Sequence, residues 1–257
     1  MDYNPHEKQE DFHLSDARIR GAFAGKRGGK TEAGAMETLL CARELRGYKA
    51  SDIDPYVGVV IAPTSDMLRR LSLQKFIAYA KPFITNYHQT HQEIDIDSGA
   101  RIYGISADKP QRLEGIKANF IWMDEVFQMD EQIFLEAMAR VSDTEGLIWC
   151  TGSLGTQYTN PKAHWVYRYF KERPLEGSAC FEWSTADNPY YPRAELERLK
   201  DTLDPRTYRQ MFEIDWSVPG TALVYDEFDE ANLINGYTYN PSLPTYISID
   251  WGWTHPA

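Results

Sequence analysis

A short apolar run, Ile19 to Ala24, leads straight into a glycine-rich turn, and Lys30-Thr31 opens a segment with helical periodicity. The stretch IRGAFAGKRGGKT therefore reads as strand, loop and helix in immediate succession. That order is the physical recipe for a phosphate cradle. Loop N–H groups and the positive end of the helix face the anion, and Gly28 and Gly29, lacking a Cβ, let the backbone come close. In such a cradle Lys30 reaches the β/γ-phosphates and the Thr31 hydroxyl ligates Mg²⁺. The pattern G-x-x-x-x-G-K-[ST] wants glycine at position 24; this chain has Ala24, with Gly25 one place later.

A Gly-rich turn before a helix is a common surface feature, so the loop needs a partner. The rest of the chain supplies a setting for one. After the loop, Ala33, Met36, Leu39 and Leu40 fall at helical spacing, and Gly47 is a plausible stop. Tyr56 to Ala62 is a near-continuous β-branched run between Pro55 and Pro63, as a buried parallel strand requires. Thr64 to Lys81 is expected as a helix ended by Pro82. Glu93 to Asp97 and Arg101 to Ile105 read as a hairpin around Ser98-Gly99-Ala100. Phe120 to Met123 and Leu147 to Cys150 are two further buried strands. From Asn160 the texture changes to helices at 162–171, 193–203 and 206–212, with a short strand at 180–184 and a last one at 246–249. Strands alternating with helices imply a mostly parallel α/β sheet with its sites at the carboxyl ends of the strands.

The partner is Asp124-Glu125, delivered by the strand FIWM. Two adjacent carboxylates at the edge of a parallel sheet suit a Mg·ATP hydrolase: Asp124 holds the metal beside Thr31, and Glu125 takes a proton from the attacking water or orients it. An acidic pair at a strand end is by itself an ordinary solvated turn; loop and pair together point to ATP hydrolysis. Thr151-Gly152-Ser153 ends the next strand, where hydroxyls can sense the γ-phosphate. Arg27 lies inside the loop, in reach of the γ-phosphate in cis, whereas Arg112, on the loop before the acidic pair, can instead serve a neighbouring subunit. Gln9 has an amide able to read an adenine edge, with Phe12 nearby, although on spacing alone it reads as a surface glutamine.

Net charge of −11 argues against a surface that grips nucleic acid all over, while leaving room for a local basic patch. Cys41, Cys150 and Cys180 are scattered, which favours small core residues in a reducing compartment over a disulfide framework or a zinc site. The polar, acidic N-terminus and the lack of a long apolar run make export or membrane insertion unexpected.

Taken together these residues resemble the large terminase subunit of tailed bacteriophages, the DNA-packaging motor. Lys26-Arg27-Gly28-Gly29-Lys30-Thr31 resembles the terminase variant of the phosphate loop, which tolerates a missing first glycine and carries a basic residue inside. Gln9 falls where that family has an adenine-reading glutamine, IWMDE matches its metal-and-base strand, and Thr151-Gly152-Ser153 its coupling motif. Asp187-Asn188-Pro189 and Leu203 to Trp216 look like its lid region, and ISIDWG is similar to the first strand of its RNase H-like nuclease, with Asp250 in the place of the first metal ligand. Where the family often has Arg-Gly before the acidic pair, this chain has Glu114-Gly115, with Arg112 two places earlier.

The resemblance implies a P-loop NTPase fold of the ASCE type, with an ATPase core over residues 1–175, a lid over 176–235 and the start of a nuclease domain over 236–257. It implies ATP and Mg²⁺ as cofactors, bound by Gln9 and by Gly25 through Thr31, and no nuclease activity, since one carboxylate cannot build a two-metal site. It implies double-stranded DNA, a portal ring, a small terminase subunit and a homo-oligomeric ring on the capsid as partners, with the isolated domain free to be a monomer, in the host cytoplasm. The alternatives are another P-loop helicase or repair ATPase, and a non-hydrolysing nucleotide-gated module.

Overall fold

The computed structural model describes residues 3–47, 55–155 and 160–218, and positions 236, 240, 242 and 244. The chain divides into two compact units, Met1–Leu223 and Val224–Ala257. The strand expected at 246–249 and Asp250 lie outside the described residues.

The first unit is built on one eight-stranded sheet. Its strands are β1 (Ile19–Ala24), β2 (Val57–Ala62), β3 (Ile84–His88), β4 (Glu93–Ile96), β5 (Arg101–Ser106), β6 (Phe120–Asp124), β7 (Leu147–Gly152) and β8 (Ser178–Trp183), in the order β3-β4-β5-β2-β6-β7-β1-β8. From β5 to β8 every neighbour is parallel; β3 and β4 add an antiparallel edge, and β4 with β5 forms the expected hairpin. Strands β2 and β6 are buried along their whole length, as their β-branched and aromatic runs require. The loop strand β1 and the acidic strand β6 are not neighbours: β7 lies between them. β8 falls within the segment expected as a lid, yet it pairs with β1 in the main sheet, Ile19 opposite Ser178 through Ala24 opposite Trp183.

Helices cover both faces. On one side lie α1 (Glu7–His13), α2 (Lys30–Glu44), α3 (Ser65–Met67) and α4 (Leu73–Ala80), around a core that includes Phe12, Phe76, Trp122 and Trp149. On the other lie α5 (Glu131–Arg140) and α6 (Trp165–Tyr167), around Phe23, Phe127, Phe134 and Trp165. α7 (Arg193–Thr202) and α8 (Pro205–Phe212) share a small cluster of their own, Leu196, Tyr208 and Phe212. Among the described residues no helix is long and apolar enough to cross a membrane.

Three differences from the sequence expectation bear on the site. The helix expected over Thr64 to Lys81 is interrupted by a π-type turn, Leu68–Ser72, between α3 and α4; such turns re-aim side chains. α1, in the polar N-terminal stretch, packs Gln9 and Phe12 inward. Finally, α2 buries Gly34, Ala35 and Glu37 besides the expected Ala33 and Leu39, while Met36 and Leu40 are only half-buried. The helix lies so close that a Cβ on Gly34 would stand 2.4 Å from the Trp122 ring. Buried Glu37 is held by Arg20 of β1 and by Arg46, both at 2.7 Å, and by His13 at 2.6 Å. Burial pushes its carboxyl up, but these partners outweigh it and hold it below the usual range. This buried ion set ties α1, β1 and α2 together directly behind the loop.

Candidate functional site

Ala24 is the last residue of β1, fully buried and in register with Trp183. It occupies a strand position, where alanine is as suitable as glycine. The turn begins at Gly25, whose missing Cβ makes room for other groups: an added one would stand 2.3 Å from the Phe212 carbonyl oxygen and 2.5 Å from the Thr185 hydroxyl. Arg27 (φ 66°) and Gly29 (φ 86°) take left-handed conformations, and Gly29 leads into α2 with no side-chain cap. The N–H groups of Arg27, Gly29, Lys30 and Thr31 have no acceptor among the described residues. Four unspent donors at the positive end of a helix make an anion site.

A cavity of about 900 Å³ opens on this loop, lined among others by Arg27, Lys30, Thr31, Asp124, Glu125 and Ser153. Lys26 and Gly29 also line it. Inside it the Lys30 ammonium pairs with the Glu125 carboxylate at 2.9 Å. Glu125 follows β6 in a left-handed conformation (φ 58°, ψ 45°), which costs a non-glycine residue roughly 1–2 kcal/mol. The turn Val126–Gln128 closes behind it, with Gln128 N–H donating to the Glu125 carbonyl. That conformation swings the carboxylate out of the strand line and toward the loop.

Asp124 is held differently. It is buried, and its two carboxylate oxygens accept hydrogen bonds from Ser72 (2.8 Å) and Thr151 (2.7 Å). Burial first, and the adjacent Glu125 second, push its carboxyl up to about 6; Lys30 and the two hydroxyls oppose them. Trp122 Nε1–H donates to the Thr151 hydroxyl at 2.8 Å, so the rotor that points at Asp124 is itself fixed. Sequence reasoning misses Ser72; it comes from the π-type turn, whose irregular winding no apolar periodicity signals.

The triplet Thr151-Gly152-Ser153 bridges the two halves of the site. Thr151 bonds Asp124 on one side, and Ser153 donates to the Ala24 carbonyl at 2.7 Å on the other. Gly152 between them is pressed on Phe127, whose ring would meet an added Cβ at 2.7 Å. Gln9 reaches the loop, but its amide is taken: Nε2–H donates to the Gly29 carbonyl at 2.9 Å, and Oε1 accepts from the His6 N–H at 3.2 Å. Arg112 is elsewhere, exposed on a 3₁₀ turn, Pro110–Leu113, and lines a second cavity that shares no lining residue with the first.

Among the described residues no group of three or more His, Cys, Asp or Glu could hold a metal ion. A cation in the first cavity must therefore share oxygens of phosphate and water. That is the ordinary coordination of Mg²⁺, and the hard oxygens of Asp124 and Thr31 fit it.

Comparison with known proteins bears on the fold and the family. The family described as terminase large subunit, T4likevirus-type, N-terminal, matches residues 22–211. The large terminase subunits of Thermus phage G20c and Thermus virus P23-45 are each 26% identical over 194 residues, 66% of this chain; the chain spans 36% of the length of either. Among solved structures, the large terminase ATPase domain of Thermus phage P74-26 superposes with a TM-score of 0.63 at 20% identity, over 83% of this chain and 94% of that one. The large terminase of another thermophilic bacteriophage, in complex with ATP-gamma-S, gives 0.69 at 18% identity, over 88% of this chain and 56% of that one. These two likenesses establish a common α/β fold, and the match over residues 22–211 establishes kinship: the chain belongs to the terminase large-subunit family.

Proposed function

We propose that this chain is a Mg²⁺-dependent ATPase motor domain that drives double-stranded viral DNA into a capsid. The observation that carries the reading is the meeting of Lys30, Glu125 and Asp124 in one cavity beneath a loop with four unspent N–H donors. The thermophilic phage terminase with the TM-score of 0.69 holds ATP-gamma-S in that structure and ADP in another, which supports a nucleotide as the anion.

In this reading the loop N–H groups and Lys30 take the β- and γ-phosphates. Mg²⁺, held by Thr31 and Asp124, neutralises phosphate charge when bound. Phosphate competes with Glu125 for Lys30, so nucleotide entry releases the carboxylate. Glu125 then accepts a proton from water as the water oxygen bonds to the γ-phosphorus and the bond to the β,γ-bridging oxygen breaks, leaving ADP and phosphate. Arg27 steadies γ-phosphate charge in cis. Thr151 and Ser153, touching both Asp124 and the loop strand, pass the change to the rest of the sheet. For Gln9 the hydrogen bonds favour a hold on the loop backbone. Arg112 acts on a neighbouring subunit of a homo-oligomeric ring. That ring works in the host cytoplasm with a portal and a small terminase subunit.

Steady-state phosphate release tests the core. Wild-type protein should turn over ATP with Mg²⁺, and Lys30→Ala and Glu125→Ala should not; turnover surviving either change sinks the mechanism. Tight nucleotide binding with no phosphate release from wild type would instead mark a non-hydrolysing module.

A further inference from the structure

The phosphate loop is held from behind, carbonyl by carbonyl. Each carbonyl from Ala24 to Gly29 accepts a hydrogen bond: from Ser153 Oγ (2.7 Å), the Gly28 N–H (2.9 Å), Thr185 Oγ1 (2.7 Å), Asn188 Nδ2 (2.7 Å), Trp183 Nε1 (2.6 Å) and Gln9 Nε2 (2.9 Å), in chain order. Three of these donors belong to one short stretch, Trp183 to Asn188, which joins β8 to the helical pair α7 and α8. The Lys26 N–H also donates to the Met211 carbonyl near the end of α8.

A peptide unit is planar and trans, so its carbonyl and the following N–H point in opposite directions. Fixing the carbonyl of Lys26 therefore aims the N–H of Arg27. Fixing those of Gly28 and Gly29 aims the N–H groups of Gly29 and Lys30. These three N–H groups are among those left without a protein acceptor. Of the other three bonds, that of Asn188 to the Arg27 carbonyl governs the Gly28 N–H, which the loop uses on Gly25, and those to Ala24 and Gly25 govern the N–H groups of Gly25 and Lys26, which donate to the Trp183 and Met211 carbonyls. Three of the six pinned carbonyls thus aim free donors; the fourth free donor, the Thr31 N–H, follows the Lys30 carbonyl, which lies outside the pinned stretch.

We propose that Thr185 and Trp183 are positioning residues of the phosphate site: through the Lys26 and Gly28 carbonyls they hold the Arg27 and Gly29 N–H groups toward the phosphates. The proposal rests on the reading of this cavity as a phosphate site. Thr185 is fully buried and Trp183 is buried, and neither lines the cavity, so each acts only through the loop. The displaced glycine of the motif belongs to the same device. Gly25 is bare because Thr185 and the Phe212 carbonyl stand where its Cβ would be.

Pyrophosphate, which has no base or sugar, isolates the phosphate contacts. Calorimetric titration should give an affinity lowered about tenfold in Thr185→Val, which keeps the shape but loses the hydroxyl, and likewise in Trp183→Phe. Thr185→Ser should restore it, and in ATP turnover KM should move more than kcat. Wild-type affinity in both Thr185→Val and Trp183→Phe overturns the proposal, as does a Thr185→Ser protein no better than Thr185→Val. Trp183→Phe keeps the test alive if Thr185→Val fails to fold. Lys30→Ala separates the two readings. If it binds pyrophosphate like wild type, the phosphate site itself is misplaced; if it loses binding while Thr185→Val and Trp183→Phe keep theirs, only the clamp fails.

Discussion

Two of the cavities among the described residues differ in how their charged groups are held. The first, about 900 Å³ at the loop, is lined by groups whose orientation other residues determine: Lys30 against Glu125, Asp124 between two hydroxyls, loop donors aimed by pinned carbonyls. The second, about 530 Å³, is lined by Val57, Thr90, His91, Tyr103, Arg112 and Ile116 among others, and no ion pair or hydrogen bond fixes the Arg112 side chain among the described residues. Pre-organised polar groups are what electrostatic stabilisation of a transferring phosphoryl group demands. An unfixed surface arginine is suited to meeting something that arrives from outside. The contrast lies between Lys30, Asp124 and Glu125 on one side and Arg112 on the other; it does not extend to Arg27, which lines the first cavity with a side chain as unfixed, among the described residues, as that of Arg112.

The comparison breaks most simply at Lys30. Lys30→Ala should lower ATP turnover by at least about 10²–10³-fold and weaken nucleotide binding with it, read by phosphate release and by titration. Glu125→Gln comes next, with turnover down about 10²–10⁴-fold. Its nucleotide affinity should hold or rise, because Lys30 no longer has a carboxylate to leave. If affinity falls in Glu125→Gln as it does in Lys30→Ala, the ion pair is not the competitor of phosphate described above.

Arg112→Ala sharpens the other half. In the isolated chain it should leave nucleotide affinity unchanged, since Arg112 does not share the first cavity. Mixed with Glu125→Ala under conditions that promote assembly, it should recover turnover that neither protein has alone. No recovery in the mixture counts against a role on a neighbouring subunit, and reduced affinity in the isolated chain counts against two independent cavities.

Much of the first cavity was legible because its parts are local. The parallel strands read as β-branched or aromatic runs, the loop as glycines before Lys30-Thr31, and the acidic pair as the end of FIWM. What was not legible depends on long-range docking. Ser72 meets Asp124 only because a π-type turn winds its helix irregularly. Thr185 meets the loop only because β8 lies beside β1. Glu37 has no apolar signal to mark it as buried; what holds it buried on α2 is Arg20, on β1, a separate element of the chain. Spacing alone reads Gln9 as a surface glutamine and only the family resemblance sets it at the nucleotide; neither foresees the Gly29 carbonyl that takes its amide.

The smallest expected effect separates the cavities by pH. His164 precedes α6 and caps it: its Nδ1 accepts the Val166 N–H at 3.2 Å, which requires the ring to be unprotonated there. The ring also packs on Phe127, just beyond Glu125 and in contact with Gly152. Burial lowers its pKa from 6.5 to about 4. The folded protein thus prefers the neutral ring, while the unfolded chain protonates at about 6.5. The stabilisation is fully present above the unfolded value and is lost as pH falls from there toward 4. Urea midpoints measured across that interval should decline, with more of the decline in the wall behind Glu125 than around Arg112, as hydrogen exchange can resolve. His164→Asn keeps a capping oxygen and has no proton to gain, so it should flatten the decline. An unchanged slope in that variant would assign the acid sensitivity to His6, whose pKa burial also lowers from 6.5, since Glu37, with its lowered pKa, loses its contribution only at lower pH.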